Sequence, residues 1–225
     1  AKYRETAEYQ LVNQGMSMAE FQKIFWWEWG HRFFGRMIGL VAVLGAVVFA
    51  MRGWLSRRLG WHLVALIGLG GLQGAIGWWM VASGIGETTL VDVAPYRLMT
   101  HFTLALLIIA YVTWLWLDLD KRARPGVARS VRTASLVLLG VIFVQMAAGA
   151  LVAGLDAGRS YNDWPLMAGE LVPSHYLEEG LGLRSLFEGR AATQFNHRLL
   201  AYAIWIGALA AAWGFRKTPL CRDFR

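Results

Sequence analysis

The apolar positions of this chain fall into five long stretches almost free of charge. They are Phe33 to Met51, broken by Arg36; Trp61 to Ser83; Leu98 to Leu117; Thr133 to Ala153; and Gln194 to Phe215, broken by Arg198. Each approaches the roughly 20 apolar residues with which a helix crosses the hydrocarbon of a bilayer. None alternates with the period of two expected of a barrel strand, and a chain in lipid must satisfy its own backbone polar groups. The stretches therefore predict five transmembrane helices in an all-α, polytopic transmembrane helix bundle. Ser17-Met18-Ala19-Glu20 reads as a capping box, which starts the first helix well ahead of its apolar part.

Composition supports the lipid reading: 56% of the 225 residues are apolar and 16% charged, against about a quarter charged in a soluble domain. The net charge of +7 acquires its meaning from where the bases sit. Arg52, Arg57 and Arg58 lie between the first two stretches; Lys121, Arg122, Arg124, Arg129 and Arg132 follow the third; Arg216, Lys217, Arg222 and Arg225 follow the fifth, with Asp223. Most acids occupy the other segments: Glu5, Glu8, Glu20 and Glu28, then Glu87 and Asp92, then Asp156, Asp163, Glu170, Glu178, Glu179 and Glu188. By the positive-inside rule the basic segments face the cytoplasm or matrix, so the first helix enters from outside and the basic patches are topological, with no nucleic-acid partner. The single cysteine, Cys221, falls on the inner side and excludes a disulfide or cysteine-based metal site. The chain begins with Ala and shows no signal peptide, and both ends adjoin membrane segments, so a piece of a longer protein or a processed chain is expected.

Three of the five histidines share a predicted depth. His31 precedes the first apolar stretch by two residues, while His101 and His197 sit in the first turns of the third and fifth; all three mark the outer ends of helices that run inward. Ionisable residues at membrane depth are costly and mark a pathway or ligand site. His62 and His175 lack this company and are read as surface residues. Glu28-Trp29-Gly30-His31-Arg32 and Gln194-Phe195-Asn196-His197-Arg198 repeat a His-Arg pair, which suggests an internal duplication.

Arg36 and Arg97 also lie near His31 and His101, within about a turn and a half on a helix. Guanidinium clamps carboxylates and imidazole binds iron, so a flat cofactor with anionic side groups accounts for arginines at the outer face. Snorkelling to lipid head groups is the alternative. Gly35 and Gly39, with Gly70, Gly74 and Gly77, give faces without bulk that suit either close helix packing or a planar macrocycle. Phe25-Trp26-Trp27 with Trp29, Phe33 and Phe34 forms an interfacial belt or a wall for an apolar cofactor. Glu28, three residues before His31, either accepts a proton and steadies a developing cation, or orients His31 through a hydrogen bond.

Several segments together resemble the haem A synthase family of the alphaproteobacterial and mitochondrial type. They are Tyr3 to Gln10, Phe25 to Arg36 with its Glu-x-x-His core, Pro95-Tyr96-Arg97 leading to His101, Gly154 to Gly158, Tyr161 to Met167, and Gln194 to Arg198. The resemblance implies an integral membrane oxidoreductase that converts the C8 methyl of haem O to the formyl group of haem A for cytochrome oxidase. It implies eight helices in two similar four-helix halves, each with a histidine pair at the outer, periplasmic side. Residues 1–125 then form the first half without its first helix, and residues 126–225 start the second half without its last two. His31 and His101 match the axial ligands of substrate haem O, Glu28 the carboxylate of the oxidation, and His197 one ligand of a haem b that passes electrons. Its partner ligand would come from the eighth helix.

Arg32, Arg36, Arg97 and Arg198 are the propionate-binding candidates. Successive hydroxylations would give a geminal diol that loses water to form the aldehyde. The resemblance places the protein in the bacterial or mitochondrial inner membrane, with haem O synthase and cytochrome oxidase assembly factors as partners, names no electron donor and admits a homo-oligomer. The cysteine pair of some bacilli in the first outer loop is absent. A b-type haem-binding electron-transfer subunit without substrate chemistry is the rival reading, and a transporter with unligated histidines is a third.

Overall fold

A computed structural model describes residues 2–84, 92–120 and 127–218. Glu87, Lys121, Arg122, Arg124, Cys221, Arg222, Asp223 and Arg225 lie outside the described residues, as does the expected boundary between residues 125 and 126. The helices are α1 (Ala7–Leu11), α2 (Met18–Met51), α3 (Arg57–Val81), α4 (Pro95–Leu119), α5 (Arg129–Gly154), α6 (Ser185–Glu188) and α7 (Arg190–Gly214). Among the described residues there is no strand, only an isolated bridge between Met167 and Glu170.

Helices α2 to α5 are each long and apolar enough to cross a membrane. Their apolar side chains are largely exposed, Trp27, Trp78 and Trp116 among them, and exposed apolar surface on this scale needs lipid around it. The chain is a multi-pass membrane protein. The fifth predicted span is present as α7, of 25 residues, but it is not among the four helices apolar enough to qualify. Arg190, Gln194, Asn196, His197 and Arg198 fill its first turns and dilute its apolar part.

The helices also begin earlier than the apolar stretches. In the Ser17 capping box the hydroxyl accepts from the Glu20 N–H and the Glu20 carboxylate accepts from the Ser17 N–H at 2.9 Å, so the chain is helical from Met18. His31 therefore lies inside α2 as the cap predicts, while His101 and His197 lie in the second and third turns of α4 and α7 rather than in the first. Apolar content marks where hydrocarbon begins, whereas the cap marks where the helix begins.

The chain forms two compact units: Ala1–Arg97 with Leu107–Trp114, and Leu98–Leu106 with Leu115–Arg225. In the first, α2 packs on α3, and the Tyr3 ring lies 5.0 Å from Phe21 of α2, tying the N-terminal segment to that helix. His62 is not the bare surface residue expected. It is half-buried, its Nδ1 is 2.7 Å from the Tyr111 hydroxyl, and its ring meets Trp114 edge-on. The reason is a partner 49 residues away in sequence. His175, in the second unit, is exposed as expected.

In the second unit α5 packs along α7, and the connection between them folds onto the start of α7, burying Ala157, Met167, Ser185, Ala191 and Ala192. Ser185 accepts the Glu178 N–H at 2.9 Å. At Gly189 any Cβ would approach the Ser185 carbonyl to 2.8 Å, so only glycine fits this crossing.

Candidate functional site

On α2, the helical repeat places Glu28, His31, Arg32, Gly35 and Gly39 on one face. The Glu28 carboxylate accepts a hydrogen bond from the Arg32 guanidinium one turn on. Both side chains are exposed, so the pair contributes only about 0.3–0.5 kcal/mol to the helix. His31 is exposed beside them, and a Cβ at Gly35 or Gly39 would meet nothing within 4 Å. An exposed imidazole thus shares one helix face with a carboxylate, a guanidinium and two glycines that leave the following turns open. Alongside, Trp29 and Phe33 stack at 5.0 Å with their rings 9° apart, and Phe21, Phe25 and Trp26 continue the aromatic series toward Tyr3.

Arg97, near the start of α4, donates to the Trp79 carbonyl at 2.8 Å and lies 4.6 Å over the Trp79 ring. It is held by the end of α3 in the same unit. His101 is half-buried and belongs to the second unit. Arg36 is exposed on α2.

On α7 the side chains sort by face. Gln194, Arg198 and Tyr202, each one turn apart, hold the connection. Gln194 donates to the Tyr161 carbonyl at 2.9 Å, and Arg198 donates to the carbonyls of Tyr161, Asp163 and Leu166 at 2.8, 3.0 and 3.1 Å. The Tyr202 hydroxyl accepts from the Trp164 indole at 2.8 Å. Of the five guanidinium N–H groups of Arg198, two remain beyond these three carbonyls. Hydrogen bonds to a charged donor contribute about 1.5–3 kcal/mol when buried. Arg198→Ala is expected to open the 161–166 segment by ~2 kcal/mol, or about 30-fold faster amide exchange there with α3 unaffected, read by mass spectrometry.

Within that segment the Asp163 carboxylate accepts the Gly169 N–H at 3.1 Å. The Gly169 and then the Ala168 N–H groups hold its carboxyl below the usual carboxylate range. The folded value lies below the unfolded one, so this stabilisation is present above the unfolded value and is lost as pH falls through the folded value. Protection of the Gly169 amide is expected to fall on acidification in the native chain and to be low and insensitive to pH in Asp163→Asn.

His197 faces α5 instead. The Gln145 amide nitrogen is 3.2 Å from His197 Nε2 and 3.0 Å from the His197 carbonyl oxygen. Gly149, one turn along α5, leaves room for the ring: a Cβ there would come within 3.0 Å of Cε1. Neither Gln145 nor Gly149 is among the residues singled out from sequence. Their signal is a glutamine inside an apolar stretch with glycine four residues on, a spacing that recurs at Gln73 and Gly77.

The two His-Arg motifs differ in one respect that bears on chemistry. Glu28 stands three residues before His31, whereas Gln194 stands three residues before His197. The first imidazole has an ionisable neighbour; the second has a neutral amide committed to loop carbonyls. Among the described residues no three His, Cys, Asp or Glu side chains gather to cage a bare metal ion. Iron inside a porphyrin needs from the protein only axial nitrogens and a flat, apolar seat; the exposed His31 imidazole and the open positions at Gly35 and Gly39 on the same face of α2 suit that demand, whereas the His197 ring is packed against Gln145 and Gly149 of α5.

These features define a polytopic helical membrane protein. Residues 1–223 match the cytochrome oxidase assembly protein family, and the chain belongs to it. It is 69% identical over 223 residues to the heme A synthase of Hyphomonas neptunium, covering 99% of this chain and 64% of that protein. It is 48% identical to the heme A synthase of Maricaulis maris, over 97% of this chain and 64% of the relative. With the heme A synthase of Bradyrhizobium diazoefficiens it also shares 48% identity, over 95% of this chain and 59% of the relative. The chain thus spans just under two thirds of the length of these relatives. No solved structure matches it.

Proposed function

We propose that this chain carries the substrate-oxidising part of a haem A synthase, converting the C8 methyl of haem O to the formyl group of haem A. The observation that carries this reading is the α2 face: His31 with Glu28 one turn before it and Gly35 and Gly39 one and two turns after it. In the first unit His31 is the residue that holds haem O, and Arg32, Arg36 and Arg97 meet its propionates, with the two uncommitted N–H groups of Arg198 serving the haem of the second unit. Each of two oxidations of the methyl carbon replaces a C–H bond with a C–O bond to water oxygen and releases two protons and two electrons, the electrons passing to an acceptor outside this chain, and the geminal diol then loses water. Glu28 accepts protons as the C–H bonds break and steadies positive charge at the carbon.

His197 is the residue that holds a b-type haem, which supplies one-electron transfer when bound. The neutral Gln194 at the position equivalent to Glu28 supports this division, because electron transfer needs no proton acceptor beside the ligand. The basic ends of the helices support a reading in which they face the cytoplasm from a bacterial inner membrane, with His31, His101 and His197 toward the periplasm. Haem O synthase and the cytochrome oxidase assembly machinery are its functional partners, and two four-helix halves, divided in sequence between residues 125 and 126, are its architecture.

The test is complementation of a bacterium lacking haem A synthase with the full-length polypeptide. Return of the haem A band in membrane spectra is expected. A cytochrome oxidase left with haem O in place of haem A would contradict the reading.

A further inference from the structure

The turn between α2 and α3 is short, fixed at both ends and basic. Residues 52–58 hold Arg52, Arg57 and Arg58 and no acid. α2 ends in a Schellman motif: the Gly53 N–H donates to the Ala50 carbonyl and the Trp54 N–H to the Phe49 carbonyl, each at 3.0 Å. Gly53 takes the left-handed backbone that this motif requires, with φ of +68°. The apolar contact that accompanies the motif is present too, the Phe49 and Trp54 rings lying 5.8 Å apart. Arg52 lies 5.7 Å over the Trp54 ring, within the range of a cation–π attraction. Two residues later Ser56 caps α3, its hydroxyl accepting the Leu59 N–H at 3.2 Å. Arg52, Trp54, Arg57 and Trp61 are all exposed. Among the described residues Arg52 and Arg57 have no hydrogen-bond or ion-pair partner.

Topology asks only that positive charge gather on one side of the membrane, and a loose segment meets that demand as well as a structured one. A turn pinned by two caps goes further, because groups held in place beforehand lose little entropy when they bind. The apolar stretches stop at Met51 and resume at Trp61, so the turn meets the lipid head groups, a level that indole rings favour. Guanidinium pairs with phosphate oxygens through two parallel hydrogen bonds. We propose that the α2–α3 turn is a binding site for an anionic phospholipid, whose phosphate pairs with Arg52 and Arg57 and whose glycerol and upper acyl chains lie against Trp54 and Trp61. Charge complementarity selects the head group, and the exposed indoles select a lipid over a soluble anion.

The experiment uses the full-length polypeptide, purified in detergent and titrated with dioleoylphosphatidylglycerol or dioleoylphosphatidylcholine, with bound lipid counted by native mass spectrometry. A basic residue at the bilayer surface is worth about 5-fold in affinity for anionic lipid. Arg52→Gln combined with Arg57→Gln is therefore expected to weaken phosphatidylglycerol binding by about 30-fold and to leave phosphatidylcholine binding unchanged. Arg129→Gln combined with Arg132→Gln removes the same charge from the start of α5 and is expected to leave the tight phosphatidylglycerol in place. Gly53→Ala keeps every charge but strains the Schellman motif, and is expected to weaken binding several-fold. Should Gly53→Ala fail to accumulate, the arginine pairs carry the test. Unchanged phosphatidylglycerol binding without Arg52 and Arg57 overturns the proposal. Equal losses in the two arginine pairs do the same, because they reduce the effect to diffuse positive charge. Equal affinity of the native protein for the two lipids also overturns it and leaves the patch to an acidic protein surface. Displacement of the lipid by millimolar inorganic phosphate overturns it in favour of a free-phosphate site.

Discussion

Glu28→Gln is expected to leave haem O bound and to lower its oxidation by at least about 100-fold, the range in which a positioned proton acceptor acts. Glutamine has the shape of glutamate and can still accept from Arg32, so helix and arginine stay in place. The Glu28–Arg32 pair is exposed and one turn apart on α2, and such pairs stabilise a helix by only about 0.3–0.5 kcal/mol. Lost activity in this variant therefore reports the charge and basicity of the carboxylate, not a failure to fold. Bound haem is quantified in the purified protein and haem A in acid-acetone extracts. Haem A at the wild-type level would remove Glu28 from the chemistry and leave it the role of orienting His31.

His197→Ala is expected to remove the b-type haem of the second unit almost completely while leaving haem O on the first. Haem A production falls to background because electrons have no route away from the substrate, yet the cause differs from that in Glu28→Gln. Only His197→Ala loses the low-spin EPR signal of haem b. The loop is held by Gln194, Arg198 and Tyr202 on a neighbouring face of α7, so the connection keeps its fold and its amide protection. Retention of haem b in this variant would assign its ligands elsewhere.

Much of this arrangement is legible in the residues. Apolar runs announce α2 to α5, and three histidines near the starts of such runs nominate the candidate site. The Ser17 capping box likewise announces the start of α2, so His31 is inside a helix whose apolar run begins after it. What escapes the residues depends on contacts distant in sequence. His62 looks like a surface residue until Tyr111 is brought to 2.7 Å. Arg198 reads as an anion clamp, yet three of its N–H groups serve carbonyls of a connection whose path no periodicity encodes. Gln145 is visible as a polar residue in an apolar stretch, but its contact with the His197 ring and carbonyl emerges only when α5 and α7 are packed together.

The most direct measurement is the haem content of the full-length polypeptide, purified from a host that makes haem O and lacks its own haem A synthase. Haems are extracted with acid acetone and separated by chromatography. Haem A, or its hydroxymethyl precursor, together with haem b is the predicted result. Haem O recovered unchanged, or haem b alone, would contradict the assignment of the α2 site to oxidation and favour an electron-transfer protein.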